Sequence, residues 1–258
     1  MTALANPGVP PMPLGRVIGA YLSDARYESL RLLRTPAFSV PILAMPILFY
    51  TVFGVLMADG RTPTALANLT FVDWTVYGVM GPGLFGFGIL VAVERNQGLL
   101  TFKRALPMPT GSYLSAKLAM AFVFAIAVMA MVAVLGVTAG HVVMPLARLV
   151  TIAAVMSLGV FPACAIGLFI GAWAPASSAS AFANITYLGM AFLSGLFFHL
   201  PPAVAAFQPI WPTYHLAQLA LASAGMHSQG SPLVHAAILA ATTAGLILLA
   251  ARRLSRAG

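Results

Sequence analysis

Six long apolar runs, separated by short polar segments, constrain this chain more than any other feature. The runs cover approximately residues 38–58, 72–93, 115–138, 149–172, 179–198 and 233–251. A bilayer core about 30 Å thick is crossed by roughly 20 apolar residues in a helix, which matches the length of the runs. Because the runs are continuously apolar rather than alternating, they indicate helices and not a β-barrel. We therefore predict an all-α integral membrane protein with six transmembrane helices.

The composition supports lipid as the solvent for much of the chain. Charged residues make up only 7% of the 258 positions, whereas soluble domains contain about a quarter. The net charge of +8 comes from short basic clusters between the apolar runs, not from one continuous patch. This distribution suits anionic lipid headgroups and argues against nucleic acid as a partner. Cys164 is the only cysteine, so the sequence predicts neither an internal disulfide nor a cysteine metal site.

The positions of the basic residues predict the orientation. If the N-terminus is inside, all lysines and arginines except Arg61 and Arg148 fall on the cytoplasmic side. All five histidines then fall on the outer side. We therefore predict that both ends of the chain are cytoplasmic.

Segments around the spans complete the predicted organisation. Residues 16–34 form an amphipathic helix with charged and apolar residues on opposite sides, which is typical of a helix lying in the headgroup plane. An ordinary cytoplasmic helix is the alternative. The predicted divisions are a disordered tail at 1–15, an interfacial helix at 16–36, a six-span domain at 37–251 with an inner loop at 95–114 and an outer loop with short helices at 199–232, and a cytoplasmic tail at 252–258.

Chemically reactive groups are scarce. Asp73 and Glu94 lie at opposite ends of the second run, each near an aqueous boundary, and they cannot form a proton relay through the membrane. The sequence contains no GxxxxGK[ST] nucleotide loop, HExxH motif or serine elbow. We therefore predict a chain that is not an enzyme and holds no cofactor or metal. If the protein performs work, the energy must come from a partner.

The loop after the second run carries an ordered set of residues. Its pattern consists of Glu94, Gly98, Arg104, Pro107 and Lys117. A Leu-Ser-Gly195 segment followed by prolines comes near the end of the fifth run, and Leu-Leu-Arg-Thr-Pro36 precedes the first. In this order the chain resembles the membrane subunits of ABC exporters of the second type.

The resemblance implies the permease half of an ATP-driven exporter in a prokaryotic inner membrane. Two copies would form a dimer and hold two ABC ATP-binding subunits, which would bind the ATP and magnesium. In the family, the segment after Gly98 is a coupling helix that fits a groove on the ATPase. The candidate coupling residues are Glu94, Gly98, Leu99, Leu100, Phe102, Lys103, Arg104 and Pro107. Apolar groups beside cations suit docking on a protein, although a loop whose leucines enter lipid would have the same composition.

The resemblance also implies a substrate path lined by spans two and five. The candidate path residues are Tyr77, Asn184, Tyr187 and Ser194. Such groups can instead simply bond to neighbouring helices. Glycines at 78–88 indicate either tight helix packing or a bend in the path. A path with few charges favours a hydrophobic or amphiphilic substrate, such as a drug, a lipid-linked molecule or a polysaccharide. An ATP-independent channel or facilitator and a non-transporting scaffold are the alternative functions.

Overall fold

The computed structural model describes residues 13–57, 64–99, 102, 111–198 and 200–256. The helices in this part of the chain are α1 Leu14–Leu33, α2 Pro36–Phe49, α3 Thr64–Asn96, α4 Ser112–Thr138, α5 Leu146–Trp173, α6 Ala179–Leu193, α7 Pro202–Ala205, α8 Pro212–Ser223 and α9 Pro232–Arg256. A π-helical segment, Tyr50–Leu56, extends α2, and a 3₁₀ turn, Gln208–Ile210, precedes α8. The described residues contain no strand, so the all-α prediction is confirmed.

Among the described residues, five helices are long and apolar enough to cross a membrane. These are α2 with its π-helical extension, α3, α4, α5 and α9. The predicted run 179–198 forms a shorter helix, because α6 has 15 residues and a length of about 22 Å. Gly195 has a φ of +79°, and the amide of Leu196 donates to the carbonyl oxygen of Ala191. This left-handed glycine ends the helix before the apolar run ends.

The helices also extend past the predicted tail boundaries. Helix α1 begins at Leu14, inside the segment predicted as a disordered tail, and the rest of that tail up to residue 12 lies outside the described residues. At the other end, α9 continues to Arg256 rather than ending at 251. Helix α3 begins at Thr64, eight residues before the predicted start of the second span. The hydropathy pattern marks the apolar part of each helix but not its polar ends.

Helix α3 is the central helix of the bundle and is buried along most of its length. We refer to the two ends of the bundle as the Glu94 end and the Asp73 end, after the acidic residues of α3. Helix α4 is antiparallel to α3, because Lys117 contacts Glu94 and Val128 lies against Gly78. Both helices therefore connect the two ends of the bundle.

Helix α5 is parallel to α3 and approaches it closely through glycines. A Cβ atom added at Gly83 would lie 2.9 Å from the main-chain nitrogen of Cys164. A Cβ atom added at Gly167 would lie 2.6 Å from the carbonyl oxygen of Leu84, and Gly171 makes a similar approach one turn later. Side chains at these positions would force the two backbones apart. Of the two alternatives for the glycines of α3, the structure favours tight packing, because α3 remains one continuous helix.

Helix α6 runs in the direction opposite to α3. Ala183 lies against Gly88, and Tyr187, one turn later, lies against Gly81. The chain therefore passes along α6 from the Glu94 end towards the Asp73 end. The turn after α6 and the short helices α7 and α8 follow at that end.

Helix α9 returns the chain to the Glu94 end. At its start, His235 Nδ1 lies 2.7 Å from His215 Nδ1 on α8, and each Nε2 is within 2.8 Å of a main-chain carbonyl oxygen. Both histidines are buried, and this burial lowers the pKa of His215. Near the other end of α9, the Arg253 guanidinium lies 5.4 Å from the centre of the Trp173 ring at the end of α5. Helices α5 and α9 are therefore parallel.

Candidate functional site

A cluster of four charged groups joins three helices at the Glu94 end. Lys117 Nζ of α4 lies 2.8 Å from a carboxylate oxygen of Glu28 and 3.1 Å from one of Glu94. Arg31 of α1 lies 2.9 Å from Glu28 and 3.1 Å from Glu94. The Tyr113 hydroxyl donates a hydrogen bond to Glu94. Two acids and two bases therefore share one network, and their formal charges balance.

The members of this cluster differ greatly in burial. The Lys117 side chain is 1% exposed and that of Glu94 is 9% exposed, whereas the Arg31 side chain is 50% exposed. A buried ion without a partner is costly, so Glu94 depends on the buried Lys117 far more than on the half-exposed Arg31. The sequence predicted Glu94 as a candidate coupling residue beside this loop. It did not predict the contact between Lys117 and Glu28.

The orientation of α1 explains why this contact was missed. The sequence assigned Glu28 to a charged side facing away from the apolar side, but in the structure Ser29 and Leu32 are buried and Glu28 faces the bundle. The apolar residues Ile18 and Leu22 are instead exposed. The helix thus attaches to the protein partly through its polar side and leaves an apolar stripe uncovered.

Arg95 and Gly98, which come after Glu94, determine how α3 ends. Arg95 donates hydrogen bonds from its guanidinium to the carbonyl oxygens of Ala172 and Ala174, which end α5. Gly98 has a φ of +72°, a left-handed conformation that favours glycine, and its amide bonds to the carbonyl oxygen of Arg95. The chain therefore leaves α3 at a fixed angle, with α3 and α5 tied together at their last turns.

The segment after this turn exposes apolar side chains. The Phe102 amide bonds to the Gly98 carbonyl oxygen at 3.1 Å. The Leu99 residue is 37% exposed and Phe102 is 62% exposed. The other predicted coupling residues, Leu100, Lys103, Arg104 and Pro107, lie outside the described residues.

Tyr77 of α3 and Tyr187 of α6, both predicted path residues, are brought together by the structure. Their rings stack with centres 4.4 Å apart, and the Tyr187 hydroxyl donates to the Tyr77 carbonyl oxygen at 2.8 Å. Both residues are buried. The pair fixes α6 against the middle of α3.

The other two predicted path residues bond elsewhere. Asn184 is exposed and donates to the carbonyl oxygen of Ser180 on its own helix. The Ser194 hydroxyl forms a buried hydrogen bond with Thr213 of α8. Tyr187 and Ser194 thus bond to neighbouring helices, as the alternative interpretation of these polar groups anticipated.

Two cavities lie beside α3 and α6. The smaller, about 380 Å³, is lined by Tyr77, Asn184 and Tyr187 together with residues of α2. The larger, about 830 Å³, is lined by Ser194, the end of α2, α3 and α8, and it also contains Asp73. The four predicted residues are therefore divided between two cavities. Asp73, which the sequence placed at an aqueous boundary, lines the larger one.

Comparison with known proteins identifies the family. Residues 21–223 match the family described as ABC-2 type transporter. The chain belongs to this family. It is also 27% identical over 192 residues to "Putative transport permease YvfS" of Bacillus subtilis (strain 168), across 73% of this chain and 78% of that protein. Together with the apolar helices, the match confirms the predicted resemblance and a multi-pass membrane protein of the ABC-2 permease type.

The matched region of this ABC-2 permease contains the features described at the Glu94 end except Ile18 and Arg253. It includes the charged cluster, the turn at Gly98 and both cavities as far as α8. Helix α9 lies beyond it. The family relationship therefore covers both the exposed segment after Gly98 and the cavity around Asp73.

Proposed function

We propose that this ABC-2 permease is the membrane half of an ATP-driven exporter. Two copies assemble with two ABC ATP-binding subunits, which bind the ATP and magnesium, and move a hydrophobic or amphiphilic substrate out of the cell. The family supports an ABC ATPase partner in general terms. The observation that carries the proposal is the exposed pair Leu99 and Phe102, held directly after the charged cluster of Glu94.

The surroundings of this segment explain how an ATPase would act on the spans. A displacement of residues 98–102 reaches α3 directly, and Arg95 passes it to the end of α5. The charged cluster links the same end of α3 to α1 and α4. ATP binding to the partner would then favour one arrangement of the helices over another, which is a shift between populations.

We also propose six membrane crossings with both chain ends in the cytoplasm of a prokaryotic inner membrane. The alternating directions of α3 to α6 and α9 support this count, although α6 is short enough to require neighbouring residues or a locally thin bilayer. The excess of basic residues at the Glu94 end supports the orientation. Because Ile18 and Leu22 of α1 are exposed beside basic residues, α1 would rest on the headgroups of that leaflet.

Labelling with a membrane-impermeant maleimide tests the orientation. In a Cys164→Ala background, Phe102→Cys reports the Glu94 end and Phe207→Cys reports the Asp73 end. We expect label on position 207 in intact cells, and on position 102 only after the membrane is opened. Label on position 102 in intact cells would overturn the orientation and the docking role together.

A matched pair of substitutions tests docking of the ATPase. Phe102 and Phe207 are almost equally exposed, at 62% and 61%, but they lie at opposite ends of the bundle. We expect Phe102→Asp combined with Leu99→Asp to abolish co-purification of the ATP-binding subunit, because charges replace an apolar contact that excludes water. Phe207→Asp should leave it intact. If the Leu99 and Phe102 side chains only enter lipid, the double variant will keep both the subunit and its stimulated ATPase activity.

Flux in vesicles separates this proposal from its alternatives. The reconstituted complex should accumulate substrate only with ATP, whereas a channel or facilitator would equilibrate it without ATP and a scaffold would move nothing. Chemical cross-linking of the purified complex should give two permeases for two ATPases. A single permease per complex would contradict the proposed dimer.

A further inference from the structure

The cavity of about 830 Å³ at the Asp73 end has an aromatic wall. The ring of Phe53, on the π-helical extension of α2, stacks on Trp74 with centres 5.6 Å apart and planes 6° apart. Phe197, in the turn after α6, stacks on Trp74 at 4.5 Å. Phe49 adds a further ring 5.6 Å from Trp74. Two separate segments of the chain, α2 with its extension and the turn after α6, thus bring aromatic rings against one tryptophan of α3.

Among the described residues that line this cavity, one carries a carboxylate. Asp73 precedes Trp74 on α3 and lines the same cavity. Within the described part of the chain, its carboxylate forms no hydrogen bond or ion pair. The contrast with Glu94 is sharp, since Glu94 has two cationic partners and a tyrosine.

An unpaired carboxylate in an apolar span is costly, and the cost falls when a cation binds beside it. Aromatic rings attract cations through their negative π-faces. Trp74 is only 5% exposed and is stacked against Phe53 and Phe197, so the ring open to a cation is that of Phe53, which is 45% exposed. An anion would be repelled by both groups, and a neutral molecule would leave the carboxylate without a partner. The cavity volume is within the range of about 300–1,000 Å³ typical of sites for small organic ligands.

We propose that Asp73 and the aromatic wall of Phe49, Phe53, Trp74 and Phe197 form a binding site for an amphiphilic organic cation. The carboxylate pairs with the positive centre, and the rings cover the apolar groups attached to it. The inference rests on the proposed function in treating this cation as the class of molecule transported. The binding itself belongs to the permease alone and needs no ATPase.

Two ions of nearly identical shape and opposite charge test the proposal. Tetraphenylphosphonium and tetraphenylborate are added to the purified permease in lipid nanodiscs, and binding is measured by equilibrium dialysis against empty nanodiscs. We expect saturable binding of the phosphonium at one site per chain and no saturable binding of the borate. Asp73→Asn should weaken phosphonium binding at least about tenfold, because it removes a desolvated ion pair.

Two further variants keep the test decisive. Asp73→Glu retains the charge and should bind within a fewfold of the natural protein. Asp24→Asn removes a carboxylate from α1 at the Glu94 end and should bind unchanged. The thermal unfolding temperature of each variant, measured in the same nanodiscs, separates lost binding from lost folding.

Three results would overturn the cation site: equal binding of both ions, unchanged phosphonium binding by a folded Asp73→Asn variant, or equal losses in Asp73→Asn and Asp24→Asn. None of them bears on ATPase docking, which is measured by co-purification. Conversely, if the permease binds the phosphonium but retains no ATPase partner, the proposed exporter function is refuted and the proposed cation site is not.

Discussion

Replacing Lys117 with methionine tests the energetic role of the charged cluster most directly. Methionine keeps the apolar stem of the side chain but leaves Glu28 and Glu94 with only Arg31, so the cluster changes from neutral to a charge of −1. Because the Lys117 side chain is 1% exposed, solvent cannot compensate. Removing one partner of a buried pair costs about 3–5 kcal/mol, so we expect the free energy of unfolding to fall by roughly 3 kcal/mol.

Arg31→Met is the matched control, because it removes one positive charge from the same two carboxylates. The Arg31 side chain is 50% exposed, so its loss should cost no more than about 1 kcal/mol. The double variant Glu94→Gln with Lys117→Met leaves Glu28 and Arg31 as a balanced pair 2.9 Å apart. It should recover most of the loss, since replacing both members of a buried ion pair is often nearly neutral.

Unfolding in bicelles with increasing dodecyl sulfate, followed by tryptophan fluorescence, gives the required free energies. The reasoning fails if Lys117→Met and Arg31→Met cost the same within about 0.5 kcal/mol, the additivity limit for independent sites. It also fails if the double variant is no more stable than Lys117→Met alone.

Three smaller predictions can be measured in the same unfolding assay. Gly167→Ala places a Cβ 2.6 Å from a main-chain oxygen of α3 and should lower the free energy of unfolding by about 1–3 kcal/mol. The control Gly245→Ala, whose Cβ would meet nothing within 4 Å, should be neutral or slightly stabilising. Equal effects would contradict the close packing of α3 and α5. Tyr187→Phe removes a hydrogen bond but keeps the ring, so we expect a loss of about 1 kcal/mol, and no loss would show that the bond contributes nothing. Gly98→Ala meets no atom within 4 Å but forces a side chain into the left-handed region; it should cost about 1–2 kcal/mol, and unchanged stability would contradict the positive φ.

Most of the helical architecture could be predicted because hydropathy is a local property. Continuous apolar runs reveal helices of spanning length without any knowledge of their neighbours. The early end of α6 also has a local cause, because Gly195 adopts a left-handed conformation that ends the helix. The apolar run nevertheless continues past that glycine. Hydropathy alone therefore overestimated the helix by the five residues from 194 to 198.

The candidate sites could be predicted only in part, because they depend on which helix faces meet. Glu94 could be identified from its position at the end of a span. Its partner Lys117 and the inward-facing Glu28 could not, since the rotation of α1 is set by tertiary contacts. Asp73 was assigned to the membrane boundary because nothing in its own neighbourhood reveals a cavity formed by α2, α6 and α8. The aromatic wall has the same origin, since Phe53, Trp74 and Phe197 are far apart in the chain.

The close approach of α3 and α5 restricts which parts of the permease can shift during a transport cycle. Main chains in contact through glycines have no layer of flexible side chains between them that could adjust to sliding. Because Arg95 also bonds their last turns together, we expect the two helices to move as one rigid body. Relative movement is then more readily taken up by α2 and α6, whose contacts with α3 include the side-chain rings of Phe49 and Tyr187 rather than main chain against main chain. Both cavities are lined by residues of α2, α3 and α6. A change in the position of α2 or α6 would therefore alter the cavity volumes, while the packing of α3 against α5 stayed the same.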